Sequence, residues 1–228
     1  MPAAAPDTPP NANLLSPDPA RRLAAGLDAL GLPEALREPL SAYLDLLLTW
    51  NRTYNLTAIR DPAEMVSKHL LDSLVMAPFF GDRRLADLGT GAGLPGIPLA
   101  LACPELRVSL VESAGKKARF MRHAVRALGL ADRVRVLEQR VEAVEEPGEF
   151  DCLTARALGT LALILDLGGR LLRPDGQLLA MKGQVPDAEI AALPDGWAVT
   201  DIVPLRVPGL DAERHLIRVA RRADQAEY

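Results

Sequence analysis

Between Pro19 and Phe80 the apolar residues recur at helical spacing. Leu40, Tyr43, Leu44, Leu47 and Leu48 fall three and four residues apart, which lays them along one face of a helix. A second stretch, 62–77, puts Met65, His69, Leu70 and Leu74 on a common buried stripe. From Arg84 the pattern changes, and short apolar runs alternate with helical ones. That order turns right-handed crossovers into a mainly parallel sheet. Strands are predicted over 84–88, 107–112, 133–138, 150–155 and 176–182, with helices over 95–103, 114–129 and 159–172. The last two strand candidates, 197–204 and 214–221, have no helix between them and so should pair as an antiparallel hairpin at one edge. The fold class is therefore α/β and doubly wound, with a seven-stranded sheet. A helical N-terminal subdomain is expected over 19–80 and the sheet domain over 81–228.

Composition narrows this picture. Residues 1–18 belong to a leader whose first 20 residues hold six prolines, too little apolar surface to offset ordering entropy, and a disordered tail is expected there. A length of 228 residues allows one substantial core but not two full domains. No apolar run approaches the roughly 18 residues of a membrane span, and no basic start precedes an apolar leader, so a cytoplasmic location is expected. Cys103 and Cys152 are too few for a disulfide framework and lack spaced metal-ligating partners, so no metal is expected and both read as small core residues. The net charge of −4 requires any nucleic-acid contact to be a local basic patch on a mildly acidic body. A monomer is the working expectation.

The strongest local signal is Leu85-Ala86-Asp87-Leu88-Gly89-Thr90-Gly91-Ala92-Gly93-Leu94-Pro95-Gly96. A strand ends in an acid, passes through alternating glycines and enters a helix, with Pro95 suited to its first turn. Such a turn lies at the carboxyl end of the first strand, where open α/β sheets bind ligands. Two cofactor classes compete for it. Gly91 to Gly96 formally matches the dinucleotide fingerprint, and Glu112 follows at a distance suited to a ribose. Against a dinucleotide, the Asp87 carboxylate would repel a pyrophosphate and attract the ammonium of a sulfonium cofactor, and the chain has no room for a separate substrate domain. Both points favour S-adenosylmethionine. Glu112, ending the second strand, can accept from both ribose hydroxyls; the plainer reading is that it caps the helix starting near Ser113.

Four separated pieces resemble the rRNA small subunit methyltransferase G family, also called glucose-inhibited division protein B. They are Trp50-Asn51-Arg52-Thr53-Tyr54-Asn55-Leu56-Thr57, His69-Leu70-Leu71-Asp72-Ser73-Leu74, the loop from Asp87 to Pro98, and Arg156-Ala157 with Met181-Lys182-Gly183. The loop is shared by many methyltransferases, whereas the first two pieces in this order are specific. The resemblance implies a Rossmann-like class I methyltransferase fold with a helical N-terminal subdomain, and methylation of N7 of one guanine in 16S rRNA of the small ribosomal subunit. It also implies cofactor-site roles for Gly89, Leu94, Val141, Glu142 and Arg156, beside Gly91 and Glu112 from the loop argument. On that basis the Val141 and Glu142 backbone would read an adenine edge, while Arg156 would meet the cofactor carboxylate or an RNA phosphate.

Guanine N7 carries an unprotonated lone pair at neutral pH, so its methylation needs alignment rather than a general base, and no catalytic side chain is expected. The sequence also holds no Asn-Pro-Pro-Tyr motif for an exocyclic amine and no Pro-Cys or Thr-Cys nucleophile for a pyrimidine carbon. Arg52, Asn55, Lys116 and Lys182 are the candidate RNA contacts, with Lys68 and His69 beside them. The cluster Lys116, Lys117, Arg119, Arg122 and Arg126 reads equally as a solvated helix face. Asn51, Asn55 and Asp72 could equally cap helices or tie the helical part to the sheet, and His69 on an apolar face reads as a structural histidine.

Overall fold

The computed structural model describes residues 12–222. Residues 1–11 of the expected tail lie outside that range. Ala12–Leu15 forms a single 3-10 turn, and Asp18 is already structural, its Oδ1 accepting from the Ala20 N–H at 3.0 Å to cap α1 (Pro19–Ala29). α2 (Arg37–Tyr54) ends at Asn55, which takes the left-handed conformation that stops a helix.

The single helix expected over 62–77 is instead four short pieces. Asp61 caps α3 (Pro62–Met65), a wide π-helical stretch follows over Val66–Leu71, then α4 (Asp72–Leu74) and a 3-10 turn at Ala77–Phe79. Two side chains enter the backbone ladder here. Arg22 Nη1 donates to the Ala63 carbonyl at 3.0 Å, and Ser73 Oγ donates to the His69 carbonyl at 2.5 Å. Intrusions of this kind loosen or bend a helix, and periodicity does not reveal them.

The sheet strands are β1 (Arg84–Leu88), β2 (Arg107–Val111), β3 (Val134–Leu137), β4 (Phe150–Ala155), β5 (Leu172–Lys182), β6 (Trp197–Leu205) and β7 (Arg214–Arg221). They lie in the order β3-β2-β1-β4-β5-β7-β6, parallel from β3 to β5 and antiparallel where β7 enters between β5 and β6. The remaining helices are α5 (Gly96–Ala102), α6 (Gly115–Ala127), α7 (Leu161–Gly168) and α8 (Asp187–Ala191). α8, five residues long, is too short to leave a periodic signal. The helix predicted to reach 172 stops at Gly168. A Cβ there would lie 2.6 Å from Leu88 Cδ1, so the backbone packs directly on the sheet before β5 begins, earlier than the predicted 176.

Alternate strand residues face two apolar layers. Leu85, Val108, Leu110 and Leu179 pack with the N-terminal helices, α5 and α6, while Ala86, Leu88, Val111 and Leu153 pack with Leu161, Ile164 and Leu165 of α7. The first layer is continuous from Leu23 in α1 to Leu216 in β7, so the helical segment shares its core with the sheet. Tyr43 of α2 crosses this layer fully buried, and its hydroxyl donates to the Ala92 carbonyl at 2.7 Å. Tyr43→Phe should lower unfolding stability by about 1–2 kcal/mol, because the Ala92 carbonyl loses its buried donor. Urea denaturation should show that loss with an unchanged m-value.

Candidate functional site

β1 delivers the glycine turn to the carboxyl edge of the sheet at the point where the strand order reverses between β1 and β4. Gly89, Gly91 and Gly93 all have positive φ, at 63°, 63° and 90°. They do different work. A Cβ on Gly89 would sit 2.7 Å from Leu158 Cδ1 and one on Gly93 2.4 Å from Ile97 Cδ1, so both serve close packing. A Cβ on Gly91 would meet nothing within 4 Å. Gly91 therefore borders open space, the cradle that a ligand approaching bare backbone requires. Leu94, buried beneath the turn, donates its N–H to the Thr90 carbonyl and helps fix the turn's shape.

Asp87 does not meet a ligand in the way its position suggests. Its carboxylate is fully buried behind the turn, where Oδ2 accepts from Thr90 Oγ1 at 2.5 Å and from the Gly96 N–H at 2.8 Å. The Gly turn and the start of α5 are thus held by one carboxylate oxygen, and the other, Oδ1, has no partner among the described residues. Burial raises the Asp87 pKa to about 6, against the opposing hydrogen bonds of Thr90 and Gly96. To the attraction expected for a cofactor ammonium the structure adds a bracing role. A carboxyl aimed into the core reads the same in sequence as one aimed outward.

Glu112 caps α6, the plainer of the two readings, and also reaches across to the glycine turn. Oε1 accepts from the Ala114 N–H at 2.9 Å at the start of α6, and Oε2 accepts from the Gly91 N–H at 3.0 Å across the turn. Lys117 stands 3.6 Å from Oε2. Each carboxylate oxygen accepts more than one hydrogen bond, so Glu112, only 8% exposed beside the open face of Gly91, keeps capacity for ribose hydroxyls. Val141 and Glu142 lie in a 3-10 turn after β3, Val141 buried and Glu142 exposed. Their carbonyls accept from Arg170 Nη2 at 3.2 and 2.8 Å, so an adenine edge placed there would be read by backbone N–H groups. A sugar acceptor, a bare-backbone turn and an adenine shelf together fit the adenosyl part of S-adenosylmethionine.

Beyond the turn, past β4 and β5, opens a cavity of about 650 Å³ lined by residues that include His69, Asp72, Arg156, Met181, Lys182 and Arg214. Two lining residues, Ala157 and Gly159, flank Leu158 in the chain, and the Leu158 side chain covers Gly89, so this segment links cavity and turn. Asp72, 3% exposed, joins two cations: Arg156 Nη1 lies 3.0 Å from its Oδ2 and Arg214 Nε 2.8 Å from its Oδ1. Lys182 Nζ donates to the Gly159 carbonyl and to Glu189 Oε2, both at 2.8 Å. The His69 ring bonds Thr57 Oγ1 through Nε2 at 2.9 Å and the Lys68 carbonyl through Nδ1 at 3.1 Å. Burial, with Arg156 nearby, lowers its pKa to about 4, so the ring is neutral at pH 7.

Of the candidate RNA contacts, Lys182 lines the cavity, whereas Arg52, Asn55 and Lys116 do not. Asn55 terminates α2 and accepts from Arg60 Nη2 at 2.7 Å, and Asn51 braces the following loop by accepting from the Thr57 N–H at 2.9 Å. On α6, Lys117 and Arg122 pair with Glu112 and Glu138, while Lys116, Arg119 and Arg126 form an exposed stripe. Sequence reasoning missed Arg214. It lies 142 positions from Asp72, and no local motif joins them.

The sheet order, crossovers and edge hairpin, with a ligand turn at the switch point, define a Rossmann-like fold of the class I methyltransferase type. Solved structures agree on the fold. The Bacillus subtilis M1A22 tRNA methyltransferase TrmK superposes with a TM-score of 0.53 at 20% identity, over 69% of this chain and 68% of that one. A SAM-dependent methyltransferase from Geobacter sulfurreducens gives 0.51 at 16%, over 67% and 90%. The sequence model of the family described as rRNA small subunit methyltransferase G matches residues 36–217, and the chain belongs to that family. The ribosomal RNA small subunit methyltransferase G of Stenotrophomonas maltophilia (strain K279a) is 64% identical over 200 residues, 88% of this chain and 94% of that one. The protein of the same name from Xanthomonas euvesicatoria is 60% identical over 207 residues, covering 91% and 97%.

Two outcomes follow from this geometry. Gly91→Arg should abolish S-adenosylmethionine binding in calorimetry, since its side chain fills the open face. The circular dichroism spectrum should persist, with a stability loss of about 1–2 kcal/mol for a side chain at positive φ. Asp87 should make stability fall as pH rises. Its folded pKa of about 6 exceeds the unfolded value of 3.8, so the folded state holds the proton more tightly and that advantage disappears as pH climbs through 6. His69, lowered to about 4, acts in the opposite direction over a similar window. The difference between wild type and Asp87→Asn isolates the aspartate: relative to the variant, wild type should lose about 2 kcal/mol between pH 4 and 7 in denaturant titrations.

Proposed function

We infer that the chain is an S-adenosylmethionine-dependent methyltransferase that methylates N7 of a guanine in 16S rRNA of the small ribosomal subunit. The observation that carries this reading is the adjacency of the open Gly91 turn, with Glu112 beside it, to a cationic cavity large enough for a nucleobase. Family membership and relatives more than 60% identical, named for small-subunit rRNA methylation, support the same activity.

The chain's residues suffice for an alignment mechanism. Gly91 would admit the cofactor to the backbone, Glu112 would accept from its ribose, and Val141 and Glu142 would flank its adenine, with Gly89 and Leu94 shaping the turn. When bound, S-adenosylmethionine supplies an electrophilic methyl group on its sulfonium. Met181 gives the cavity an apolar wall and Leu158 packs over Gly89 at the turn, surfaces that would keep water from the line of attack. No proton has to leave guanine N7, which agrees with the neutral, doubly bonded His69 serving structure. Arg156, at the end of β4, is positioned for an anion of either the cofactor or the RNA, and Lys182 lines the same cavity. Lys116, Arg52 and Asn55 lie outside it, and we assign the exposed α6 stripe and Arg52 to peripheral RNA contact. No helix among the described residues is long and apolar enough to cross a membrane, and a cytoplasmic monomer acting on RNA is the simplest arrangement.

Labelled methyl transfer to naked 16S rRNA, assembled small subunits and unrelated RNA, compared side by side, checks the proposal. Label should appear as 7-methylguanosine at one position in the ribosomal substrate alone. Incorporation into another base or atom, or into no ribosomal substrate, would refute it.

A further inference from the structure

The cavity holds more positive charge than its local partners cancel. Lys68 pairs with Glu64 and Lys182 with Glu189, but Arg156 and Arg214 share the single carboxylate of Asp72. Among the lining side chains Lys68, Arg156, Lys182 and Arg214 outnumber Asp72, His69 is neutral, and Asp87, which also feels Arg156, is buried behind the turn. The two guanidinium groups are also not used up. Arg156 spends Nη1 on Asp72 and the Lys68 carbonyl, while Arg214 spends Nε on Asp72 and Nη1 on the Glu213 carbonyl. Their other N–H donors remain available to a ligand in the cavity that both line. Asp72, 3% exposed and fixed on α4, sets the spacing between the two forks and removes much of the cost of ordering two long side chains when an anion arrives.

We propose that Arg156 and Arg214, held by Asp72, form a clamp for a backbone phosphate of the target nucleotide, with Asp72 acting as a positioning residue. This rests on the RNA methyltransferase reading above. A phosphate suits the pair because two planar forks present several N–H donors to an oxyanion with three or more acceptor edges. The clamp joins three elements distant in sequence: α4 through Asp72, the end of β4 through Arg156 and the start of β7 through Arg214. A nucleotide anchored there by its phosphate leaves its base free to turn toward Met181 and Leu158, beside the Gly91 turn. A base drawn out of an RNA structure needs such an anchor on its backbone.

The test separates phosphate from cofactor. Binding of the wild-type protein to 16S rRNA and to small subunits is measured from 50 to 200 mM KCl, alongside S-adenosylmethionine affinity and steady-state kinetics. Arg214→Ala should lower the log–log salt slope by about 0.7, the counterion release of one single-strand phosphate contact, and raise KM for the ribosomal substrate about tenfold. Cofactor affinity should stay within about twofold of wild type, the outcome expected when a mutated residue contacts only the RNA. Arg214→Lys should keep the slope and still raise KM, because charge survives but the fork does not. Asp72→Asn should raise KM without altering the slope. An unchanged slope in Arg214→Ala with cofactor affinity weakened about tenfold would assign the clamp to the cofactor carboxylate and overturn the proposal. Unchanged slope, KM and cofactor affinity with only a lower melting temperature would reduce Arg214 to a strut. Should Arg214→Ala not fold, Arg214→Lys carries the test alone, and a wild-type KM in that variant overturns the clamp. A wild-type protein that neither binds nor methylates either ribosomal substrate would instead bring down the RNA reading itself, and the clamp with it.

Discussion

One buried carboxylate oxygen organises the ligand end of this molecule. Oδ2 of Asp87 accepts from both the Thr90 hydroxyl and the Gly96 N–H, tying the glycine turn to the first turn of α5. Without that tie three residues at positive φ would have little to hold them in one conformation, since glycine loses more freedom on ordering than any other residue. The tie is costly, because the second oxygen is buried without a partner among the described residues and the group resists ionisation. Its consequences extend outward. The turn so fixed gives Glu112 a backbone N–H to grip, and Tyr43 reaches the same turn from the helical segment through the Ala92 carbonyl. The ligand cradle is thereby braced from the sheet, from α5 and from α2.

A second carboxylate does comparable work for the neighbouring cavity. Asp72 stands on the irregular segment 66–74, and its two arginine partners come from strands on either side of β5 in the sheet. Both carboxylates are nearly or fully buried, but they differ in kind. Asp87 is held through hydrogen bonds to one oxygen while burial raises its pKa, whereas Asp72 is matched by more positive charge than it carries. The first therefore stiffens backbone, and the second sets up an electrostatic recess. A mildly acidic protein can meet RNA in this way, by concentrating positive charge where shape also fits.

Periodicity was enough for the architecture. β1, β4 and the β6–β7 hairpin fall within a residue of their expected bounds, because alternate apolar positions and the missing helix between the last two strands leave little choice of pairing. The fold departs from expectation where a side chain outcompetes local propensity. Ser73 and Arg22 intrude on the helix at 62–77, and the glycines at 168 and 169 end α7 so that backbone can lie against the sheet and Trp197. Site residues show the same division. Gly91 and Glu112 were legible because the turn and the acid two strand-ends apart form a local grammar of strand, loop and helix. Arg214 was not, since its partner is reached only after every crossover has been folded. Asp87 was legible as a residue but not in its direction, because one-dimensional spacing does not say whether a carboxyl faces ligand or core.

The strand order has a consequence for assembly. β7 follows β6 in the chain, yet it slots between β5 and β6 and supplies Arg214 to the cavity. A chain still emerging, or cut short after β6, has the glycine turn in full but only one of the two cavity arginines, and its β5 lacks an outer neighbour. The glycine turn therefore depends on β1 and α5, whereas the cationic wall of the cavity depends on β7 as well. The strand that fills the gap beside β5 thus also finishes the recess, which gains both arginines only once β7 has paired there.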